Sequence, residues 1–99
     1  MGHVCSPQAE SDLDDIWFYL VSETGNVDLA DRVVDSIASR LFLIANYPRI
    51  GRPRDDIRTG LRSLTVGGYV VFYRIDNEDV VILRILHGKR DIARLLEKD

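Results

Sequence analysis

The last apolar run of the chain closes on His87-Gly88-Lys89-Arg90-Asp91. A histidine beside two cations can serve as a general acid or base, and an arginine close by can steady the charge that develops on a phosphate. That would be phosphodiester cleavage. The competing reading, preferred here, is a structural histidine that bonds backbone groups where a strand ends. Arg62, Arg74, Arg84 and Arg90 are threaded through the same apolar stretch, which a purely structural sheet has little need of.

A second basic cluster precedes this region. Arg49, Arg52, Arg54, Arg58 and Arg62 fall in one segment, broken by Pro53 and the pair Asp55-Asp56. A loop of this length is often functional. Its guanidinium forks suit an acidic partner or a phosphate. Alternatively, Arg–Asp pairs tie the loop to the helices. Arg62 opens the sheet, and a half-buried arginine there must find a partner.

The elements that must position these groups follow from the pattern. Leu61–Val66, Tyr69–Ile75 and Val80–Leu86 are β-rich runs. Gly67-Gly68 and Asp76-Asn77-Glu78-Asp79 separate them as tight turns, predicting an antiparallel meander. Upstream, Ser6 is a good N-cap and Pro7 suits a first helical position. Ala9, Leu13, Ile16, Trp17 and Leu20 then recur on one helical face. Glu10, Asp12 and Asp14 fit the dipole at that helix start. Gly25-Asn26 breaks the pattern, and Asp28 is the expected cap of a second helix. Ala30, Val33, Val34, Ile37, Leu41, Ile44 and Ala45 form its stripe, and Pro48 stops it. The short connection makes an antiparallel helical hairpin, whose apolar faces need the meander as partner. Met1-Gly2-His3 reads as part of a non-native terminus, or alternatively His3-Val4-Cys5 is a short first strand pairing with the meander. The expected fold is therefore α+β: an N-terminal helical hairpin packed on a small twisted antiparallel sheet.

Ninety-nine residues suit a single domain spanning 1–99, and 45% apolar with 29% charged residues suits a globular one. No apolar run is long enough for a membrane span. The N-terminus lacks a basic-then-apolar signal pattern, so the cytoplasm is the expected location. Cys5 is the single cysteine and cannot form an internal disulfide. No metal-ligand spacing stands out, so neither a metal nor a cofactor is expected. Charge is divided unevenly: residues 1–46 hold eight acids and two bases, whereas residues 47–99 hold eight acids and eleven bases. The helices are acidic and the sheet end is basic, which suits an acidic target for the basic end. A pI near 5.3 argues against strong direct nucleic-acid binding by the chain alone.

Five pieces in order carry a family resemblance. They are Ser6-Pro-x-Ala-x-x-Asp-Leu13, Tyr47-Pro-x-x-Gly-Arg-Pro-Arg54, Gly60-Leu-Arg62, Tyr69-x-x-Phe-Tyr-Arg74 and Leu86-His-Gly-x-Arg-Asp91. The set resembles the ParE branch of the ParE/RelE toxin superfamily of type II toxin–antitoxin modules, over roughly residues 6 to 96. The resemblance implies a toxin that inhibits DNA gyrase by binding, in the context of plasmid stabilisation, and is neutralised by a ParD-like antitoxin with a flexible tail. The expected target-binding residues are Arg74, His87, Lys89 and Arg90. The expected antitoxin-binding residues are Trp17, Phe18, Leu20, Phe42 and Arg62: Trp17, Leu20 and Phe42 as large anchors, which alternatively are pure core, while Phe18, Tyr19 and Phe42 leave apolar surface outside the core stripes. An edge strand starting at Leu61 would be a second place for an antitoxin strand.

RelE-type relatives cleave messenger RNA on the ribosome with basic residues and a tyrosine. Their positions align near Leu61, Ser63, Val70 and Leu96, and Arg90 alone matches. Leucine and valine can neither donate a proton nor clamp a phosphate, so no catalytic residue is expected. The alternatives are a RelE-like ribosome-dependent endoribonuclease, or a degenerate toxin that retains only antitoxin binding.

Overall fold

The computed structural model describes residues 2–89 and 91–92. Strand β1 (His3–Cys5) leads into helices α1 (Pro7–Thr24) and α2 (Val27–Asn46). Four strands follow: β2 (Arg52–Pro53), β3 (Arg62–Val66), β4 (Tyr69–Asp76) and β5 (Asp79–His87). The helices pack together and against one face of a five-stranded sheet, in the order β1-β5-β4-β3-β2. The β3–β4–β5 meander is antiparallel as the turn residues require. Gly67 takes φ 58° in the first turn and Asn77 φ 57° in the second. The terminal segment is a strand, paired parallel to β5 with His3 level with Val80, so the sheet is mixed.

Local chemistry sets the helix ends. The Ser6 hydroxyl accepts from the Ala9 amide at 3.0 Å and donates to the Leu83 carbonyl at 2.8 Å. One side chain thus caps α1 and stitches its start to β5. Gly25 closes α1 in the left-handed region, where glycine meets no steric penalty. The cap of α2 is Asn26 and not Asp28: the Asn26 side chain accepts from the Leu29 amide at 3.0 Å, and Asp28 lies in the first turn. The chain needs a new helix immediately after Gly25, and Asn26 is the first residue with a capping side chain.

Each face of the sheet has an apolar cluster. On the helix side, Ile16, Ile37, Leu41 and Ile44 meet Val71, Tyr73, Val80, Ile82 and Ile85. On the opposite side, Leu61, Phe72 and Leu86 pack with Ile57, Val70, Leu83 and Ile92. A register shift between Phe72 and Tyr73 sets Phe72 level with Arg84 but Tyr73 level with Ile82. Such a bulge bends the strand that carries the extra residue.

The expectation of an open edge at Leu61 is not met. Leu61 is buried, and β3 begins at Arg62 inside the sheet, between β4 and β2. The arginine-rich loop turns back so that Arg52 and Pro53 pair with Ser63 and Arg62. The true edges are β1 and β2. Pro53, which has no N–H, is suited to an edge.

Candidate functional site

Two polar constellations tie the irregular parts to the sheet. Asp12 lies between Ala9 and Ile16 on the buried face of α1 and is 9% exposed. Its carboxylate accepts from Arg84 Nε at 2.9 Å, Arg84 Nη2 at 3.1 Å and the Ile85 amide at 2.9 Å. Asp12 therefore does more than complement the helix dipole; it occupies the side of β5 that β1 is too short to cover. The Arg84 guanidinium is raised above its ordinary pKa, chiefly by the hydrogen bond it donates to Asp12, against the opposing effect of burial.

The second constellation surrounds Tyr73, whose ring is fully buried. Its hydroxyl donates to the Pro48 carbonyl at 2.7 Å and accepts from the Gly51 amide at 2.8 Å. Arg62 Nη1 donates to the Gly51 carbonyl at 2.7 Å and more weakly to that of Arg49 at 3.4 Å. Gly51 allows this closeness, because a Cβ there would lie 2.6 Å from Tyr73 Cε1. Burial raises the Tyr73 phenol above its ordinary pKa, partly opposed by the Gly51 amide bond and the Arg62 charge.

Among the described residues, the loop's own arginines make their aspartate pair within the loop and none with the helices. Arg54 Nε meets Asp56 Oδ1 at 3.2 Å, and this hydrogen bond lowers the Asp56 carboxyl pKa. Asp55 accepts from the Gly60 amide at 3.0 Å. The neighbouring acids are too close in sequence to need the helices as partners.

Among the described residues, the expected target-contacting residues divide between the two ends of the β4–β5 hairpin. Arg74 lies level with Val81 and pairs with Asp76 at 3.5 Å. His87 lies level with Tyr69 at the other end of the hairpin. Five residues of strand separate them, roughly 17 Å. The His87 ring stands edge-on to Tyr69 at 5.7 Å, and its amide donates to Asp91 at 3.0 Å. Lys89 is exposed beside it, and Arg90 lies outside the described residues.

The expected antitoxin-contacting residues divide by exposure. Phe18 is 63% and Phe42 64% exposed, on different helices. Phe42 stands edge-on to His3 at 5.2 Å, and Phe18 likewise to Trp17. Trp17 is half-buried, with its indole donating to Asp31 at 2.8 Å across the helical hairpin. Leu20 packs against the main core, and Arg62 serves the loop carbonyls. A cleft of about 400 Å³, which sequence patterning missed, lies between α2 and the β3–β4 turn. Leu29, Arg32, Val33, Val66 and Tyr69 line it.

The described positions expected to align with the basic groups of RelE-type toxins are apolar or internally bonded. Leu61 and Val70 belong to the far-face cluster with Phe72 and Leu86. Ser63 is buried and accepts a long 3.4 Å hydrogen bond from Arg54. Leu96 lies outside the described residues. Burial and the negative charge of Glu10 raise the Cys5 thiol pKa, which leaves it a poor nucleophile at neutral pH. Among the described residues, no group of three metal-binding side chains comes together, and no helix is long and apolar enough to cross a membrane.

Comparison with known proteins agrees with this architecture. Residues 4–92 match the family described as the ParE toxin of the type II toxin–antitoxin system parDE. Toxin ParE3 of Caulobacter vibrioides is 41% identical over 99 residues, covering 99% of this chain and 98% of the relative. A structure of the chromosomal ParDE system of P. aeruginosa superposes with a TM-score of 0.80 at 24% identity, covering 90% of this chain and 97% of that one. A chain of the RelBE2 toxin–antitoxin complex of Mycobacterium tuberculosis gives 0.67 at 27% identity, covering 87% and 95%.

Proposed function

The chain belongs to the ParE toxin family of type II toxin–antitoxin systems, and from that premise we propose that it acts by occupying DNA gyrase rather than by turnover. The observation that carries this reading is the sheet face opposite the helices. Where a ribonuclease of this superfamily would hold proton donors and a phosphate clamp, Leu61 and Val70 pack into an apolar cluster. His87 stands at the end of the sheet beside Tyr69, separated along the hairpin from Arg74. A surface spread over that distance suits binding to a macromolecule better than attack on one bond.

We infer that a ParD-like antitoxin is the neutralising partner. Both solved relatives come from toxin–antitoxin systems. Phe18 and Phe42 supply exposed aromatic anchors, and the cleft beside α2 supplies a concave apolar seat with Arg32 on its lining. A tail that folds on such a surface can cover a large area despite its ordering cost. The cytoplasm, where gyrase works, is the compartment this reading requires.

Two assays test the mechanism together. In gyrase supercoiling, Arg74→Ala, His87→Ala, Lys89→Ala and Arg90→Ala should weaken inhibition in steps, each by about 1–3 kcal/mol where the partner charge is desolvated. On ribosomes programmed with a labelled message, the unmutated protein should produce no cleavage in the A site. Cleavage there, abolished by a single substitution in a folded variant, would establish the ribonuclease reading instead. Antitoxin binding with neither activity would mark a degenerate toxin.

A further inference from the structure

The loop from Tyr47 to Gly60 combines a fixed backbone with several exposed side chains. Its backbone is held by Tyr73 on the Pro48 carbonyl and Gly51 amide, and by Arg62 on the Gly51 carbonyl. The Ile50 amide bonds the Tyr47 carbonyl at 3.0 Å, and the Arg54 amide bonds the Leu61 carbonyl at 2.7 Å. The pairing of β2 with β3 fixes the next two residues. From this frame Tyr47 projects 64% exposed and Ile50 45% exposed.

Charge within the loop is equally one-sided. Asp55 is engaged by the Gly60 amide and Asp56 by Arg54. Arg49, Arg52 and Arg58 are exposed and make no ion pair among the described residues, although the Arg52 charge also acts on Asp56. The loop therefore offers three guanidinium groups alongside an exposed tyrosine and isoleucine. Tyrosine and arginine are the residue types in which interface energy concentrates. A backbone already held in place also lowers the ordering cost of binding.

We propose that this loop is a protein-docking surface, separate from the cleft beside α2, for an acidic segment that also carries apolar side chains. Carboxylates would meet Arg49, Arg52 and Arg58, while apolar groups would cover Tyr47 and Ile50. Charge spacing and the exposed apolar side chains together favour a protein over a nucleic acid. A continuous phosphate backbone would have to pass Asp55 and Asp56 within the loop, whereas a peptide can space its carboxylates to avoid them. It would also leave Ile50 without a partner of its own kind.

The test is chemical-shift mapping of the isotopically labelled chain against a short peptide of alternating glutamate and leucine. The same peptide with glutamine for glutamate, and oligothymidylate, serve as comparisons. The acidic peptide should perturb the amides of residues 47–52, with an effect that weakens in salt. The double variant Arg49→Glu, Arg52→Glu should lose about tenfold in affinity. Both positions are exposed, so the fold survives the change. Tyr73→Phe should weaken binding severalfold without altering any contacting side chain, provided its spectrum remains folded. Absent perturbation, perturbation centred on the α2 cleft, equal binding of the glutamine peptide, or tighter binding of oligothymidylate would each overturn the proposal.

Discussion

Asp12 and Tyr73 are both polar groups carried into the interior, yet they do different work. Asp12 is a carboxylate that gathers three donors from β5, joining two elements whose apolar faces already pack. Tyr73 is neutral: its ring fills the core, and its hydroxyl holds a segment with little regular structure of its own. Removing Asp12 leaves the Ile85 amide and an arginine without their partner. Removing the Tyr73 hydroxyl frees a surface loop and leaves the helix–sheet packing in place. Satisfying a buried polar group can thus secure a fold or shape a surface, depending on what lies on the far side of the bond.

The largest effect that would break this contrast is Asp12→Ala. It should cost about 2–3 kcal/mol, since a buried N–H and a charged group both lose their acceptor. Thermal melting should fall by roughly 10–20 °C for a domain of this size. A loss no larger than that of Tyr73→Phe would place the two anchors on the same footing.

Gly51→Ala comes next. The added methyl meets the Tyr73 ring, and such overpacking costs about 1–3 kcal/mol. Amide exchange should accelerate through residues 47–51 but not in α1. Tyr73→Phe removes the hydroxyl without the clash and should cost about 1–2 kcal/mol by urea unfolding. The same hydroxyl sharpens the contrast through pH. Its folded pKa is raised above the ordinary tyrosine value of 10.0. Its contribution is therefore complete below pH 10, and is lost as pH rises from there through the folded value, because the unfolded chain releases the proton first. Tyr73→Phe should flatten this alkaline decline in stability.

Phe18→Ala and Phe42→Ala should show the smallest stability change, within about 0.5 kcal/mol, because both rings are mostly exposed. Their antitoxin affinity should nonetheless fall in a calorimetric titration. A large melting shift for either would return that ring to the core and remove it from the interface.

Much of this fold was legible in the sequence, because period and turn chemistry are local. Ser6-Pro7, Gly25, Gly67-Gly68 and Asn77 mark their boundaries directly. The cap of α2 was misplaced at Asp28 because Asn26 stands next to a glycine and reads as part of the break. The edge at Leu61 was misjudged because β2 is a two-residue strand containing proline, with no periodic signal of its own. Asp12 reads in sequence as a dipole residue, although its place between Ala9 and Ile16 on the buried stripe is the clue to a bonded interior acid. The Tyr73–Gly51 contact spans 22 positions, and no local pattern encodes it. For the same reason, the placement of Arg74 and His87 at opposite ends of a hairpin emerges only once the register is known.

Titration of purified protein into a gyrase supercoiling reaction tests the central claim most directly. An inhibitor that works by occupancy predicts that residual activity falls with the ratio of toxin to gyrase, reaches an end point, and recovers when antitoxin is added. No inhibition at any ratio would contradict the gyrase assignment. Loss of activity that keeps growing with time at far less than one toxin per gyrase would contradict the binding mechanism itself.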